Sequence, residues 1–412
     1  VIDFTNAVAG PIATAILADL GAEVIKVEAP NARPRYAAGV APLREGSEDR
    51  PYNRIMLFNE LNHGKLGVCL NVAQAEGRAV FLQLVATADV LVENFAPRVM
   101  GNLALDYETL CAVRPDLIMV SMPAFGLSGP YRDRISYGPG IDAMSGLSHL
   151  TGYPAETPLL NYGPPMKPGN FFCDQNAGVH TAFATLVALW HRRRTGEGQR
   201  VEMPMIEGEF QILGDAYIDY AMNGRERFRA ANDHPWMAPH DVFPCRGEDA
   251  WVAIAVEDDA QWRALCRLIG RPELAEDPRY TTAPARHTHR HALKPVIAAW
   301  TRERTHYVVQ AALQAAGVPA GAVLNAVELL ADPHVRACHG FEYVEVPNVG
   351  PAPYPRVAFR LSRTPVPITK AAPCFAEDND RVFQGLLGMD AAAVAALEAA
   401  GVTAREPMEA GM

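Results

Sequence analysis

The sequence predicts an α/β fold: a large Rossmann-like domain with a parallel sheet, joined to a smaller α+β domain. Two observations carry this. Short apolar, strand-like runs at 1–5, 23–27, 89–93 and 117–122 alternate with helix-forming stretches, as in a parallel sheet with helices on its faces. At 412 residues the chain is also longer than one hydrophobic core usually supports. The expected division is a large domain from 1–222 and 332–412, and a small one from 223–331.

The first stretch reads β-α-β. Residues 1–5 form a buried strand, 6–10 a turn, and 11–20 a helix opened by Pro11 at its first position; 23–27 is the second strand. Helices follow at 75–86 and 107–113. The loops after the strands, at Val8, Asn94 and Ala124, are candidate walls of a site, because ligands of such sheets sit at the carboxyl ends of the strands.

Glu28 follows the second strand, where a dinucleotide enzyme holds a ribose. The turn before it excludes that reading, since Asn6-Ala7-Val8-Ala9-Gly10-Pro11 has one glycine where the fingerprint requires three.

The most informative stretch is 168–199. Ala177 to Trp190 is a helix-forming run, Arg192-Arg193-Arg194 fills its last turn, and Gly196 and Gly198 stop it. Asp174 stands at or beside the N-cap. A carboxylate there feels the positive helix end and is expected to stay ionised. Partly desolvated, it is a usable nucleophile. An Asp in this place is by itself more often a plain cap. Backbone N–H groups of Gln175 and Asn176 are the expected donors to a tetrahedral oxyanion.

Beyond this helix, 207–220 reads as one further helix and 223–227 as a polar linker. The small domain has a strand at 251–256 and helices at 259–268, 293–300 and 307–316. Residues 341–353 read as a strand and turn, and 391–400 as a terminal helix. With 33 prolines in the chain, many in these late crossings, long extended connections are expected. They suit a tail that wraps a partner.

The formal net charge of −10 argues against nucleic-acid binding and a polybasic membrane surface. The seven cysteines are scattered with no C-x-x-C pair, which points to reduced thiols in a cytoplasmic protein without a disulfide framework or zinc site. No apolar run approaches the roughly 20 residues needed to cross a bilayer. The chain starts at Val1 inside a strand-like run, so trimming or a longer parent is expected, and no signal peptide is visible. No metal site is expected. His287, His289 and His291 lack an accompanying carboxylate cluster and read as a solvated helix start. Gly126-Leu127-Ser128-Gly129 lacks the spacing of a nucleophile elbow.

The residues resemble the family III CoA-transferases, the carnitine and bile-acid CoA-transferase type. The matching segments are Val1-Ile2-Asp3-Phe4 with Ala9-Gly10-Pro11, then Ala18-Asp19-Leu20-Gly21-Ala22-Glu23-Val24-Ile25-Lys26-Val27-Glu28, then Asn62 with Lys65, and Ala88-Asp89-Val90-Leu91-Val92-Glu93-Asn94-Phe95. Gly126 with Gly129-Pro130, Ser145-Gly146-Leu147 with Thr151-Gly152, and the Asp174 helix with Arg194-Thr195-Gly196-Glu197-Gly198-Gln199 continue the series. Each is weak alone; their order is specific.

The resemblance implies a thioester-to-carboxylate exchange. Asp174 attacks an acyl-CoA to give an aspartyl anhydride, then an aspartyl-CoA thioester, and the acceptor carboxylate takes over the CoA. It implies CoA as substrate, no permanently bound cofactor, and an interlocked homodimer whose small domain packs over the active site. Positions matching the family's CoA contacts are Val8, Ala9, Leu70, Asn71, Val72, Ala73, Asn94, Phe95, Ala96, Asn102, Ser136 and Tyr137, with Arg33 or Arg35 supplying charge to the phosphates. Some members place Gln at Val8, Lys at Ala73 and Arg at Asn102, so phosphate binding is expected to be distributed differently here, with Arg98 as a substitute.

Racemases acting on α-methylacyl-CoA share the fold and pair the aspartate with a histidine in a His-Asp motif. Here that region has Asp142 but no His, and His149 and His180 lie outside it, so transfer is preferred. A CoA-binding homologue without turnover is the other alternative.

Overall fold

The computed structural model describes residues 1–33, 39–47, 50–154, 165–170 and 172–408. The chain divides into two compact units, one of Val1–Ser148, Lys167–Arg227 and His339–Met412, the other of His149–Met166 and Phe228–Cys338. The expected boundaries at 222 and 332 lie a few residues from these. The inclusion of 149–166 in the second unit was not anticipated, because its Pro- and Gly-rich sequence has no periodicity to read.

The first unit contains β1 (Ile2–Phe4), β2 (Ile25–Glu28), β3 (Leu66–Cys69), β4 (Val90–Glu93), β5 (Ile118–Ser121) and β6 (Gln199–Glu202). They form one parallel sheet in the order β3-β2-β1-β4-β5-β6. Its helices are α1 (Ala9–Asp19), α2 (Met56–Leu61), α3 (Ala75–Thr87), α4 (Arg98–Asn102), α5 (Tyr107–Val113), α6 (Gly138–Met144), α7 (Leu147–Leu150, at the unit boundary), α8 (Phe172–Thr195), α9 (Met205–Ile212) and α10 (Gly214–Asn223).

Val90-Leu91-Val92 is buried on both faces, as a central parallel strand requires. Leu91 and Met119 pack toward Phe81 and Leu84 of α3. On the other face Val90, Val92, Ile118 and Val120 pack with Ala9 and Ala13 of α1 and Ala177 and Ala188 of α8.

Three differences from the sequence reading have physical causes. β6 was not expected, because an edge strand carrying Gln199, Arg200 and Glu202 shows little apolar signal. The helix expected over 207–220 is two, since Leu213, with φ −98 and ψ 7, closes α9 and opens α10. The C-terminal tail runs back onto its own sheet: the Gly67 N–H donates to Asp378 Oδ2 and the Cys69 N–H to Asn379 Oδ1, each at 2.9 Å. The open edge of β3 is thereby covered.

A buried charge network locks α1 to the sheet. Asp3 accepts from Lys26 at 3.1 Å, Lys65 at 2.8 Å and Thr14 Oγ1 at 2.7 Å. Lys65, fully buried, also donates to the carbonyls of Pro11 at 2.9 Å and Leu61 at 3.0 Å. Burial lowers the Lys65 ammonium to about 8 against the attraction of Asp3, and the two lysines hold Asp3 well below the usual carboxylate range despite its burial.

The second unit has an antiparallel sheet of β7 (His240–Pro244), β8 (Trp251–Ala255) and β9 (Ala320–Val323). Around it lie α11 (Asp259–Leu268), α12 (Ala283–Thr288), α13 (Arg290–Thr301), α14 (His306–Ala315), α15 (Ala326–Ala331) and α16 (Pro333–Ala337). Trp262, Leu265, Ile297 and Val309 form its core. The histidines expected to be solvated are partly committed: His287 Nε2 lies 2.8 Å from the His234 carbonyl, and His289 stands edge-on to Tyr280. The first unit closes with the hairpin β10 (Phe341–Val346) and β11 (Gly350–Pro355) and with α17 (Ala391–Ala399).

Candidate active site

β1 has its sequence neighbour β2 on one side and β4 on the other. The chain thus leaves β1 and β4 toward opposite faces, which opens a crevice beyond their carboxyl ends. Asn94 spans it, accepting the Asn6 N–H and donating to the Asn6 carbonyl, each at 2.8 Å. The next residues form α1, whose first residue is Ala9.

α8 crosses close to this point because Gly178 has no side chain. A Cβ there would meet Ile12 Cγ2 at 2.6 Å and the Ala9 carbonyl oxygen at 3.1 Å. The close approach puts Asp174, in the first turn of α8, against α1, where its carboxyl accepts the Ala9 N–H and its own N–H. On the third side lies Gly138 of α6, where a Cβ would fall 2.0 Å from Asp174 Oδ2. Asp174 is only 7% exposed.

Burial pushes the Asp174 carboxyl up to about 6; Asp142 adds to the shift, while the N–H donors of Ala9 and of Asp174 itself oppose it. The expected ionisation therefore holds only above about pH 6, because desolvation outweighs the helix end. The expected oxyanion donors are also corrected. A helix leaves only its first four N–H groups free, and with α8 starting at Phe172 that set ends at Asp174. The Gln175 and Asn176 N–H groups belong to the helix ladder.

Behind Asp174 lies a cluster that the sequence reading missed. Asp142 of α6, Cys173 of α8 and Glu209 of α9 are buried, with their side-chain acceptor atoms all within 4.8 Å of one another. Asp142 accepts the Cys173 N–H, and burial raises its carboxyl against that bond and the more distant Lys167. Burial, then Asp142, push Glu209 up to about 7. The Asn176 amide faces Glu209 without closing a hydrogen bond of normal geometry. Burial and the neighbouring carboxyls hold Cys173 as a thiol. The overlooked signal is an acid at buried helical spacing, with Met205, Gly208 and Glu209 on one face of α9.

The expected CoA contacts fall into two groups. Ala9 at the start of α1 faces Asp174, Val8 before it is buried against Ile12 and Leu61, and Asn94, Phe95 and Ala96 follow β4. Phe95 is held edge-on by Phe4, ring centroids 5.0 Å apart. Arg98 opens α4 just beyond, with Asn102 at its end, both exposed. Tyr137, 77% exposed, caps α6 immediately before Gly138, and Ser136 Oγ donates to its carbonyl at 3.0 Å.

The others are placed differently. Leu70 and Val72 are buried in the core under α3, the Asn71 N–H is taken by the Val402 carbonyl at 2.7 Å, and Ala73 is exposed beyond β3, two strands from the crevice. Arg33 does not serve phosphates as expected. It is 3% exposed and clamps Glu28 through two bonds of 2.8 and 2.6 Å, lying over the Phe58 ring. Its charge is thus neutralised internally, and Glu28 is occupied as well. Arg35 lies outside the described residues.

The profile of CoA-transferase family III matches residues 1–379. The chain belongs to CoA-transferase family III. Among its relatives, the succinyl-CoA–D-citramalate CoA-transferase of Chloroflexus aurantiacus is 34% identical over 391 residues, 95% of this chain and 94% of that protein. The succinate–glutarate CoA-transferase of Agrobacterium fabrum is 32% identical over 386 residues, 94% of each. A CAIB/BAIF family protein from Brucella suis superposes with a TM-score of 0.83 at 31% identity, over 93% of this chain and 97% of that one. This family III chain is therefore a transferase whose substrates are CoA thioesters and acids, and its parallel sheet with small antiparallel sheets is the fold of its relatives.

Proposed function

We propose that this CoA-transferase works through covalent catalysis by Asp174. The observation that carries the reading is a desolvated carboxylate held by the Ala9 N–H at the β1–β4 crevice. An Asp174 oxygen attacks the thioester carbonyl, the C–S bond breaks, and CoA leaves as thiolate, giving an acyl-aspartyl anhydride. The thiolate attacks the Asp174 carbonyl carbon and expels the donor acid as carboxylate. The acceptor carboxylate then attacks the aspartyl-CoA thioester, and the released thiolate attacks the acceptor's acyl carbon, restoring Asp174. No net proton or electron is consumed, and anhydride and thioester lie close enough in energy for reversibility without ATP.

Val8, Ala9, Asn94, Phe95, Ala96, Ser136 and Tyr137 line the path of CoA, and Arg98 meets its phosphates. CoA is a substrate, and no permanent cofactor takes part. Succinyl-CoA as donor and a short dicarboxylic acid as acceptor fit the names of the relatives. Racemisation is disfavoured because His180 Nδ1 is engaged with the Asn176 carbonyl at 3.0 Å.

The working form is an interlocked homodimer in the cytoplasm. An apolar groove lined by Ile12, Ile16, Leu61, Phe183, Leu186 and Phe359 supports this reading as a face for a second copy. No disulfide joins the cysteines among the described residues, and no helix among them is long and apolar enough to cross a membrane.

The test is intact-protein mass spectrometry after mixing with a panel of acyl-CoA thioesters, followed by trapping with hydroxylamine or borohydride. An adduct mapped to Asp174 and lost in Asp174→Ala is expected. Exchange of α-deuterium with solvent and no adduct would sink the proposal in favour of a racemase.

A further inference from the structure

Glu209 is fully buried, and among the described residues neither of its carboxyl oxygens has a hydrogen-bond partner; Asp142, 2% exposed, leaves Oδ1 equally unpartnered among them. An ionised carboxylate in that state is costly, and two neighbouring carboxylates cannot both ionise without strong repulsion.

The groups facing the pair do not relieve it. From α8, Cys173 stays a thiol and His180 is turned to its own helix; Asp174 adds a further negative charge to the cluster. From α10, the Tyr217 hydroxyl donates to the Ser145 carbonyl at 2.6 Å. Lys167, ahead of α8, is exposed and acts on Asp142 alone among the three. The Asn176 amide reaches toward Glu209 without bonding it. A proton lying between the two acids, whose oxygens lie within 4.8 Å of each other, would turn two unpaired oxygens into one charge-assisted hydrogen bond.

We propose that Asp142 and Glu209 share a single proton behind Asp174, and that Glu209 is a positioning residue whose proton limits the negative charge facing the nucleophile to one unit. Burial, which shifts both acids toward the protonated form, accords with this. Asp142 carries the remaining charge, anchored by the Cys173 N–H at the start of α8. When the shared proton is lost at alkaline pH, a second negative charge appears beside the tetrahedral oxyanion that forms on attack, and turnover falls. The proton stays in the pair through the cycle, so the transfer chemistry remains proton-neutral.

The kinetic part rests on Asp174 as nucleophile; the proton itself does not. Infrared difference spectra at about pH 7, where ordinary carboxyls are ionised and Asp174 is largely so, should show a protonated-carboxyl C=O band. The band should disappear in Glu209→Gln and in Asp142→Asn and persist in Asp174→Asn. In pH–rate profiles the wild type should lose kcat on the alkaline side at unchanged KM, whereas Glu209→Gln, whose amide donates to Asp142 and cannot deprotonate, should show no such limb. Glu209→Leu should have a kcat about tenfold below Glu209→Gln. A band unaffected by both Glu209→Gln and Asp142→Asn, or an alkaline limb that survives in Glu209→Gln, overturns the proposal. Turnover retained by Asp174→Asn with the band intact would instead overturn the nucleophile and leave the shared proton established.

Discussion

Asp174 is placed where ionisation costs stability and supplies reactivity. Its folded-state value of about 6, against an ordinary 3.8, means that the native state binds the proton more tightly than the unfolded chain. Stability is full below about pH 4, declines as pH rises toward about 6, and stays reduced above that. The shift corresponds to at most about 3 kcal/mol. Asp174→Asn should therefore be more stable than the wild type by about 1–3 kcal/mol at neutral pH in denaturant unfolding, and show no advantage near pH 4. The same variant should lose at least about a thousandfold in kcat. The acid limb of wild-type kcat/KM should fall near pH 6.

At the scale of elements, the site depends on how closely α8 crosses α1. Gly178 sets that distance, and the Asp3–Lys26–Lys65 network holds α1 in place from the other side. Gly178→Val would drive a branched side chain into Ile12 and the Ala9 carbonyl. Overpacking of this kind costs about 1–3 kcal/mol, readable as a lower denaturation midpoint. Because the Ala9 N–H would move away from Asp174, kcat should fall further than the stability loss explains. A pairing of normal stability loss with undiminished kcat would contradict the role given to this crossing.

For the whole molecule, the groove along α1, α2 and α8 is lined mostly by apolar side chains, the kind of surface that a partner covers. Phe183 is 67% exposed and Val179 57% exposed, on a helix whose opposite face is core. Phe183→Asp should weaken self-association at least about tenfold in light scattering across a dilution series. A dimer that persists unchanged would remove this face from the interface.

The parallel sheet, the helix that begins near Asp174 and the membership of CoA-transferase family III were legible from the sequence. Each rests on local signals: strand runs such as Val90-Leu91-Val92, a basic last turn and glycine stop after Trp190, and motifs in fixed order. What the tertiary structure alone decided concerns groups brought together from distant segments. Arg33 reads as a phosphate ligand until Glu28 is seen to occupy it, and Glu209 is not singled out within the helix read over 207–220 until α6 and α8 bury it against Asp142. Charge is written in the sequence, but the solvation and partners that determine its chemistry depend on which chain segments meet.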